Sequence, residues 1–171
     1  SVRAPRSPRL PPSCARMPVD ADRLAARRAL AQGISAVERP GPAANRRIHE
    51  ALAASAAAAR NALVVGLTGA PGAGKSSLAA ALADVARAGG RRVAILAIDP
   101  SSQESGGALL GDRVRIDEHP EDDGRFTRSI ATRGSGRSLA HVAAAATILV
   151  EAAGFDLIFV ETVGAGQAEI G

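Results

Sequence analysis

Between Asn61 and Leu78 an apolar run, Ala62 to Leu67, passes directly into Gly69-Ala-Pro-Gly-Ala-Gly-Lys75-Ser76. The pattern G-x-x-x-x-G-K-S/T demands a strand, a tight loop and the first turn of a helix in that order. Glycines let successive backbone N–H groups turn inward around phosphate oxygens. A lysine at position 75 reaches the β and γ oxygens, and a serine at position 76 offers its hydroxyl to Mg²⁺. The helix that starts there adds the positive end of its dipole, about half a charge. Gly69, Ala70, Pro71, Gly72, Ala73, Gly74, Lys75, Ser76 and Ser77 are therefore the candidate nucleotide-binding segment, with Lys75 also a candidate catalytic group.

Composition sharpens this reading, because Lys75 is the single lysine among 21 Lys plus Arg. Arginine serves a solvated surface, but its planar fork does not replace a compact ammonium in a phosphate cradle. A dinucleotide-binding reading is weaker: Gly72-Ala-Gly74-Lys-Ser-Ser77 lacks the third glycine of G-x-G-x-x-G.

A length of 171 residues suits one domain with an appended helical segment. With three Phe and neither Trp nor Tyr, the core is left to Ala, Leu, Val and Ile, and stacking on single-stranded nucleic acid has little to work with. The lone cysteine, Cys14, precludes an internal disulfide and a cysteine-based zinc site and fits a reducing compartment. Overall charge is +4, but residues 1–60 carry 11 Arg against 4 acids, whereas residues 61–171 carry 10 basic groups against 13 acids. The positive excess thus belongs to the leader and first helices, which reads as solvated helix faces and a floppy arm rather than a nucleic-acid surface. No apolar run reaches the 18 or so residues of a membrane span, and residues 1–18 have no secretory apolar stretch.

Residues 1–18, rich in Pro and Arg, read as a disordered leader, with Met17 the expected natural start. A helical segment over 19–60 follows. Asp20 caps a helix from Ala21 to Val37 with Leu24, Leu30, Ile34 and Val37 near one face, Pro40-Gly41-Pro42 ends it, and an Ala-rich helix runs from about Ala44 to Arg60 with Ile48 and Leu52 paired. Residues 61–171 form the phosphate-loop domain. Its helix Lys75 to Ala88 stops at Gly89-Gly90, Val93 to Ile98 is a buried strand ending at Asp99, and residues 100–124 form a long polar loop. Arg125 to Ala131 is a candidate strand, Ser138 caps a helix through Ala153, and Asp156 to Val160 is a buried strand ending at Glu161. This is an α/β, P-loop NTPase plan with a mostly parallel, doubly wound sheet, whose ligand lies at the carboxyl ends of the strands.

Three carboxylates fall at that edge: Asp99, Asp112 and Glu161. Mg²⁺ takes few protein ligands besides water and phosphate oxygens, so with Ser76 they form a candidate metal set. Singly each has an ordinary reading, as a turn residue, a loop acid or a surface charge. Gly164, three residues past Glu161, has the spacing at which a backbone N–H meets a γ-phosphate, and Gln167 is of the type that orients attacking water in some nucleotide hydrolases. His49, His119 and His141 share no ligand spacing and read as surface or packing residues. Arg128 and Arg133 flank a possible switch and read as exposed.

Five ordered blocks resemble one family. They are Gly69-Ala-Pro-Gly-Ala-Gly-Lys-Ser-Ser, Ile98-Asp-Pro-Ser-Ser, Ser105-Gly-Gly-Ala-Leu-Leu-Gly-Asp-Arg113, Arg128-Ser-Ile-Ala-Thr-Arg-Gly134 and Glu161-Thr-Val-Gly-Ala-Gly-Gln-Ala-Glu169. They are similar to the methylmalonyl-CoA mutase-associated GTPases of the MeaB/ArgK type, also called LAO/AO transport ATPases, over roughly Ala21 to Gly171. The resemblance implies a Mg²⁺-dependent GTPase that chaperones a cobalamin-dependent mutase through cofactor loading and protects it from inactivation. It further implies GTP/GDP on the phosphate loop, Ser76, Asp99, Asp112 and Glu161 around Mg²⁺, Gly164 in a switch, and a cytoplasmic or mitochondrial-matrix homodimer. Two departures stand out. Arg137-Ser138 replaces a family glycine pair before Leu139, and an N-K-x-D guanine-reading element does not occur in these residues, which is expected of a C-terminally truncated member. A small-molecule kinase and a truncated nucleotide-binding remnant without turnover are the competing expectations.

Overall fold

The computed structural model describes residues 21–38, 41–58, 61–70, 72–99, 122–131 and 139–162. They form α1 (Ala21–Val37), α2 (Pro42–Ala57), β1 (Leu63–Leu67), α3 (Lys75–Ala88), β2 (Val93–Asp99), β3 (Arg125–Ala131), α4 (Leu139–Ala152) and β4 (Leu157–Thr162). The strands make one parallel sheet in the order β1-β4-β2-β3. Strands that run parallel in one sheet need crossover connections rather than tight turns, and α3 and α4 supply them from β1 to β2 and from β3 to β4, pairs that are not adjacent in the sheet.

Alternation along the strands divides two apolar layers. Val93 and Ile95 of β2 and Leu157 and Phe159 of β4 meet Ala79 and Ala83 of α3 on one face. The intervening residues Ala94, Leu96, Ile98 and Ile158 turn to the other face, against Val142, Ala146 and Val150 of α4 and Ile34 of α1. Strands covered on both sides must be apolar at every position, which is why Val93–Ile98 shows no polar interruption. Beyond α4, α2 packs through Ala44 on Ala145, with Val37, Ile48 and Leu149 around them. The short alanine side chains let those helices approach closely.

Both sheet-covering helices end in the same hydrogen-bonded device. Arg91 N donates to Ala86 O at 3.1 Å and Gly90 N to Arg87 O at 2.9 Å. At the end of α4, Phe155 N donates to Val150 O at 3.4 Å and Gly154 N to Glu151 O at 2.8 Å. These are Schellman closures, and Gly90 and Gly154 adopt the left-handed φ, 79° and 89°, that the motif reserves for glycine. The neighbouring strand starts are tied down by acids: Glu151 Oε1 accepts from Ala62 N at 2.9 Å and Asp156 Oδ2 from Arg92 N at 2.8 Å.

Several expectations shift. Pro42 starts α2 instead of ending α1, because a proline in the first helical turn gives up an N–H that has no partner there anyway. Leu24 and Leu52 are exposed, so the covered faces of α1 and α2 are Ile34 and Val37, and Ala44, Ala51 and Ser55. β4 begins at Leu157, since Asp156 is a bend engaged with Arg92, and it continues through Glu161 to Thr162. Residues 1–20, including the Pro/Arg-rich leader and Asp20, lie outside the described residues, as do Ser138 and most of the long loop.

The central pair β2 and β4 carries the core, so Leu96→Ala, at a side chain with no exposure, is expected to cost about 2–5 kcal/mol. Val85→Ala, at 73% exposure on α3, should stay within about 0.5 kcal/mol. Urea unfolding midpoints of the two variants check the contrast.

Candidate phosphate-binding site

The loop between β1 and α3 is shaped by three glycines with positive φ: Gly69 at 150°, Gly72 at 75° and Gly74 at 82°. Ala73 N donates to Ala70 O at 3.2 Å, closing a turn whose third residue is Gly72, the position where a left-handed residue is needed. Gly74 is the N-cap of α3 in the left-handed conformation, and its carbonyl accepts the first helical bond, from Leu78 N at 2.8 Å. A Cβ on Gly72 or Gly74 would touch nothing within 4 Å, so glycine is required there by backbone conformation and not by space. α3 carries no side-chain cap at its N-terminus, which leaves its first N–H groups to meet an anion.

Lys75 curls back over this loop. Its Nζ donates to Gly69 O at 2.9 Å and Ala70 O at 2.8 Å, which places the ammonium above the concave side of the turn. Ser76, one residue on, donates from Oγ to Glu161 Oε1 at 2.6 Å. Sheet register brings these two together. Leu67, the last residue of β1, pairs with Glu161 of β4, and Ala97 of β2 pairs with Glu161 from the other side. Glu161 is only 7% exposed, a buried carboxylate whose hydrogen bond reaches the first turn of α3. Asp99 closes β2 two residues beyond the Ala97 that faces Glu161, so its backbone stands at the same carboxyl edge.

A hydroxyl and a buried carboxylate 2.6 Å apart are hard oxygen donors. Among the described residues no group of three or more His, Cys, Asp or Glu gathers as a metal cage. Hard oxygen donors of this kind suit Mg²⁺, which keeps waters and phosphate oxygens as its main ligands. Of the other sequence-derived candidates, Pro71, Asp112, Gly164 and Gln167 lie outside the described residues.

Arg128 corrects an expectation. It is half-buried on the α1 side of the sheet, donating from Nη2 to Ser35 Oγ at 2.7 Å, on the face shared with Phe126 and Ile130 and opposite the one covered by α3. Mid-strand alternation in β3 could have signalled this placement. His49 and His141 are exposed, as expected. The sequence offered no sign that Lys75 engages the loop carbonyls, because that contact depends on a side-chain conformation and not on spacing.

Among curated proteins, a GTPase-named protein of Pyrococcus abyssi is 54% identical over 110 residues, 64% of this chain and 34% of that protein. GTPase ArgK of Escherichia coli is 37% identical over 84% of this chain and 43% of its own length. The mouse mitochondrial protein named methylmalonic aciduria type A homolog is 42% identical over 61% of this chain and 25% of that protein. A crystal structure of an LAO/AO transport system kinase superposes with a TM-score of 0.56 at 28% identity, covering 90% of this chain and 47% of that one. The chain thus spans less than half the length of each of these relatives. The family profile described as methylmalonyl Co-A mutase-associated GTPase MeaB matches residues 30–171, and the chain accordingly belongs to the MeaB family of P-loop GTPases.

Proposed function

We propose that this chain binds GTP and GDP with Mg²⁺ through the β1–α3 loop. The protein would hydrolyse GTP as a cytoplasmic chaperone of a cobalamin-dependent acyl-CoA mutase, assisting cofactor loading and protecting the loaded enzyme. The observation that carries the nucleotide half is the convergence of Lys75, the uncapped α3 N-terminus and the Ser76–Glu161 pair on one loop. Family membership supports the guanine preference and the mutase partner.

Lys75 exchanges two neutral carbonyl acceptors for charged β- and γ-phosphate oxygens, a change favoured because hydrogen bonds between ionised partners are roughly twice as strong. A side-chain rotation of Lys75 would accompany phosphate binding. Backbone N–H groups of 72–76 supply the remaining donors. Ser76 and Glu161, with Asp99 and Asp112, would hold Mg²⁺, which when bound neutralises charge between the β- and γ-oxygens. Glu161, shielded from bulk solvent, keeps the Ser76 oxygen aligned. Gly164 and Gln167 take the γ-phosphate-sensing and water-orienting roles in this reading, and the full-length protein pairs as a homodimer.

A second reading draws on the structural neighbour, a kinase by name: the same loop passing phosphate to a small-molecule acceptor. Appearance of a phosphorylated acceptor together with GDP or ADP, in place of free phosphate, would select it.

Binding of labelled GDP in competition with unlabelled GTP and ATP tests the first reading. Guanine nucleotides are expected to displace the label and ATP to fail, and displacement by ATP alone would overturn it. Lys75→Ala should weaken nucleotide binding at least about tenfold, the loss of one or more charge-assisted bonds. Glu161→Gln should leave nucleotide affinity in EDTA unchanged yet raise the Mg²⁺ midpoint on the order of tenfold, as loss of a metal-orienting carboxylate does. An unaltered Mg²⁺ titration would remove Glu161 from the metal set. With the full-length protein, GTP turnover should rise when the mutase is added, and indifference to the mutase would sink the chaperone role.

A further inference from the structure

At the opposite end of the sheet, where β2 and β3 begin, α1 and the C-terminal turns of α3 and α4 enclose a cavity of about 510 Å³. β2 has seven residues, so this cavity lies about 20 Å from the carboxyl edge that carries the phosphate loop. Its wall holds four guanidinium groups, Arg23, Arg27, Arg87 and Arg92, around the rings of Phe126 and Phe155. The volume falls within the range of about 300–1,000 Å³ in which small-molecule sites occur.

Each arginine is positioned. Arg87 donates to both carboxylate oxygens of Asp122, at 2.8 and 2.6 Å, and to Arg91 O at 2.6 Å. Asp122, by that hydrogen bond, raises the Arg87 pKa above its ordinary value. Gly124 makes room for it, since a Cβ there would collide with the guanidinium carbon. Arg23 pairs with Asp123 at 2.8 Å. Arg27 lies over the Phe126 ring at 5.8 Å, and Arg92 over Phe155 at 4.6 Å while donating to Ala153 O and Gly154 O.

Four guanidinium groups thus meet three carboxylates, Asp122, Asp123 and the Asp156 that holds the Arg92 amide, an excess of one positive charge around an aromatic floor. The two rings, 5.9 Å apart, are themselves nearly buried under the guanidinium planes. What a visitor meets is the outer face of an exposed guanidinium, Arg92, already stacked on a ring. Such a plane stacks on a flat π system and its N–H edge bonds an oxyanion. We propose that this cavity is a second ligand site, separate from the phosphate loop, for a small dianion with a planar body, of the kind presented by an aromatic or heterocyclic phosphate monoester. The planar body lies on Arg92, and the phosphate sits among the N–H groups of Arg23 and Arg92, with the charge of Arg27 behind them.

The probe is 1-naphthyl phosphate, titrated into the chain while the arginine Nε–Hε resonances are followed by NMR. Saturable shifts at Arg27 and Arg92 are expected with a Kd below about 1 mM, and they should persist in Lys75→Ala. Arg92→Gln should weaken binding about tenfold by removing both stack and charge. Arg23→Gln, at an exposed side chain whose loss leaves the core intact, should weaken it about threefold and carries the test if the first variant fails to fold. Inorganic phosphate should bind at least about tenfold more weakly than the probe. Equal affinity for inorganic phosphate overturns the proposal, because the planar body then contributes nothing. Shifts abolished by Lys75→Ala, or untouched by both arginine variants, overturn it as well.

Discussion

The alignment of β1 with β4 is the constraint on which the candidate site rests. Leu67 pairs with Glu161 and the chain then turns through the glycine loop into α3, so one hydrogen bond, Ser76 to Glu161, joins helix, loop and strand. A slip of one residue would turn Glu161 to the α4 face and replace it with a neighbour of opposite orientation, because side chains alternate along a strand. The same slip would drive Ile158 out of one apolar layer and Phe159 out of the other. Core packing and site geometry therefore select the same register, and the burial of those side chains, worth about 1.5–3 kcal/mol each, holds the carboxylate in place.

Most of the architecture was legible in the sequence because its signals were local. Lys75–Ala88 is bounded by the phosphate motif and by Gly89-Gly90, and the helix spans those residues; Val93–Asp99 is likewise a strand where its apolar run places it, and the candidate strand Arg125–Ala131 is one too. Errors arose where a residue has two local meanings. Pro42 ends one helix in principle but fits the first turn of another, and Asp156 fits a strand by pattern while its carboxylate is engaged by the Arg92 amide. Leu24 and Leu52 fit an apolar stripe, yet the buried positions are Ile34 and Val37 on α1 and the short side chains of Ala44, Ala51 and Ser55 on α2, which let α2 approach its neighbours closely.

The site was legible in part for a related reason. The phosphate motif named Ser76, the strand plan put Glu161 at the same carboxyl edge, and the two meet although 85 positions separate them. Which acceptor Lys75 uses, and that Arg128 turns toward Ser35 instead of the carboxyl edge, depend on side-chain direction across the sheet. The amino-edge arginine cavity is hidden for a further reason. Its members come from α1, α3, the turns before β2 and β3, the start of β3 and the turn after α4, and only the fold collects them.

β1 carries the loop, and it is also the most exposed strand of the described sheet, with Leu63 and Val64 open to solvent. Its main anchors are its ladder with β4, the Glu151 bond to the Ala62 amide, and Val65 and Leu67 against α3. A ligand that bridges the two ends of the loop adds to these anchors. Phosphate held between the α3 N-terminus and Lys75, with a cation near Glu161, would join β1, α3 and β4 through one cluster of charges. Ligand present at about 100 times its Kd stabilises the folded state by about 2.7 kcal/mol. That gain compares with the burial of a whole core side chain, and it falls on the part of the sheet where side-chain burial is least.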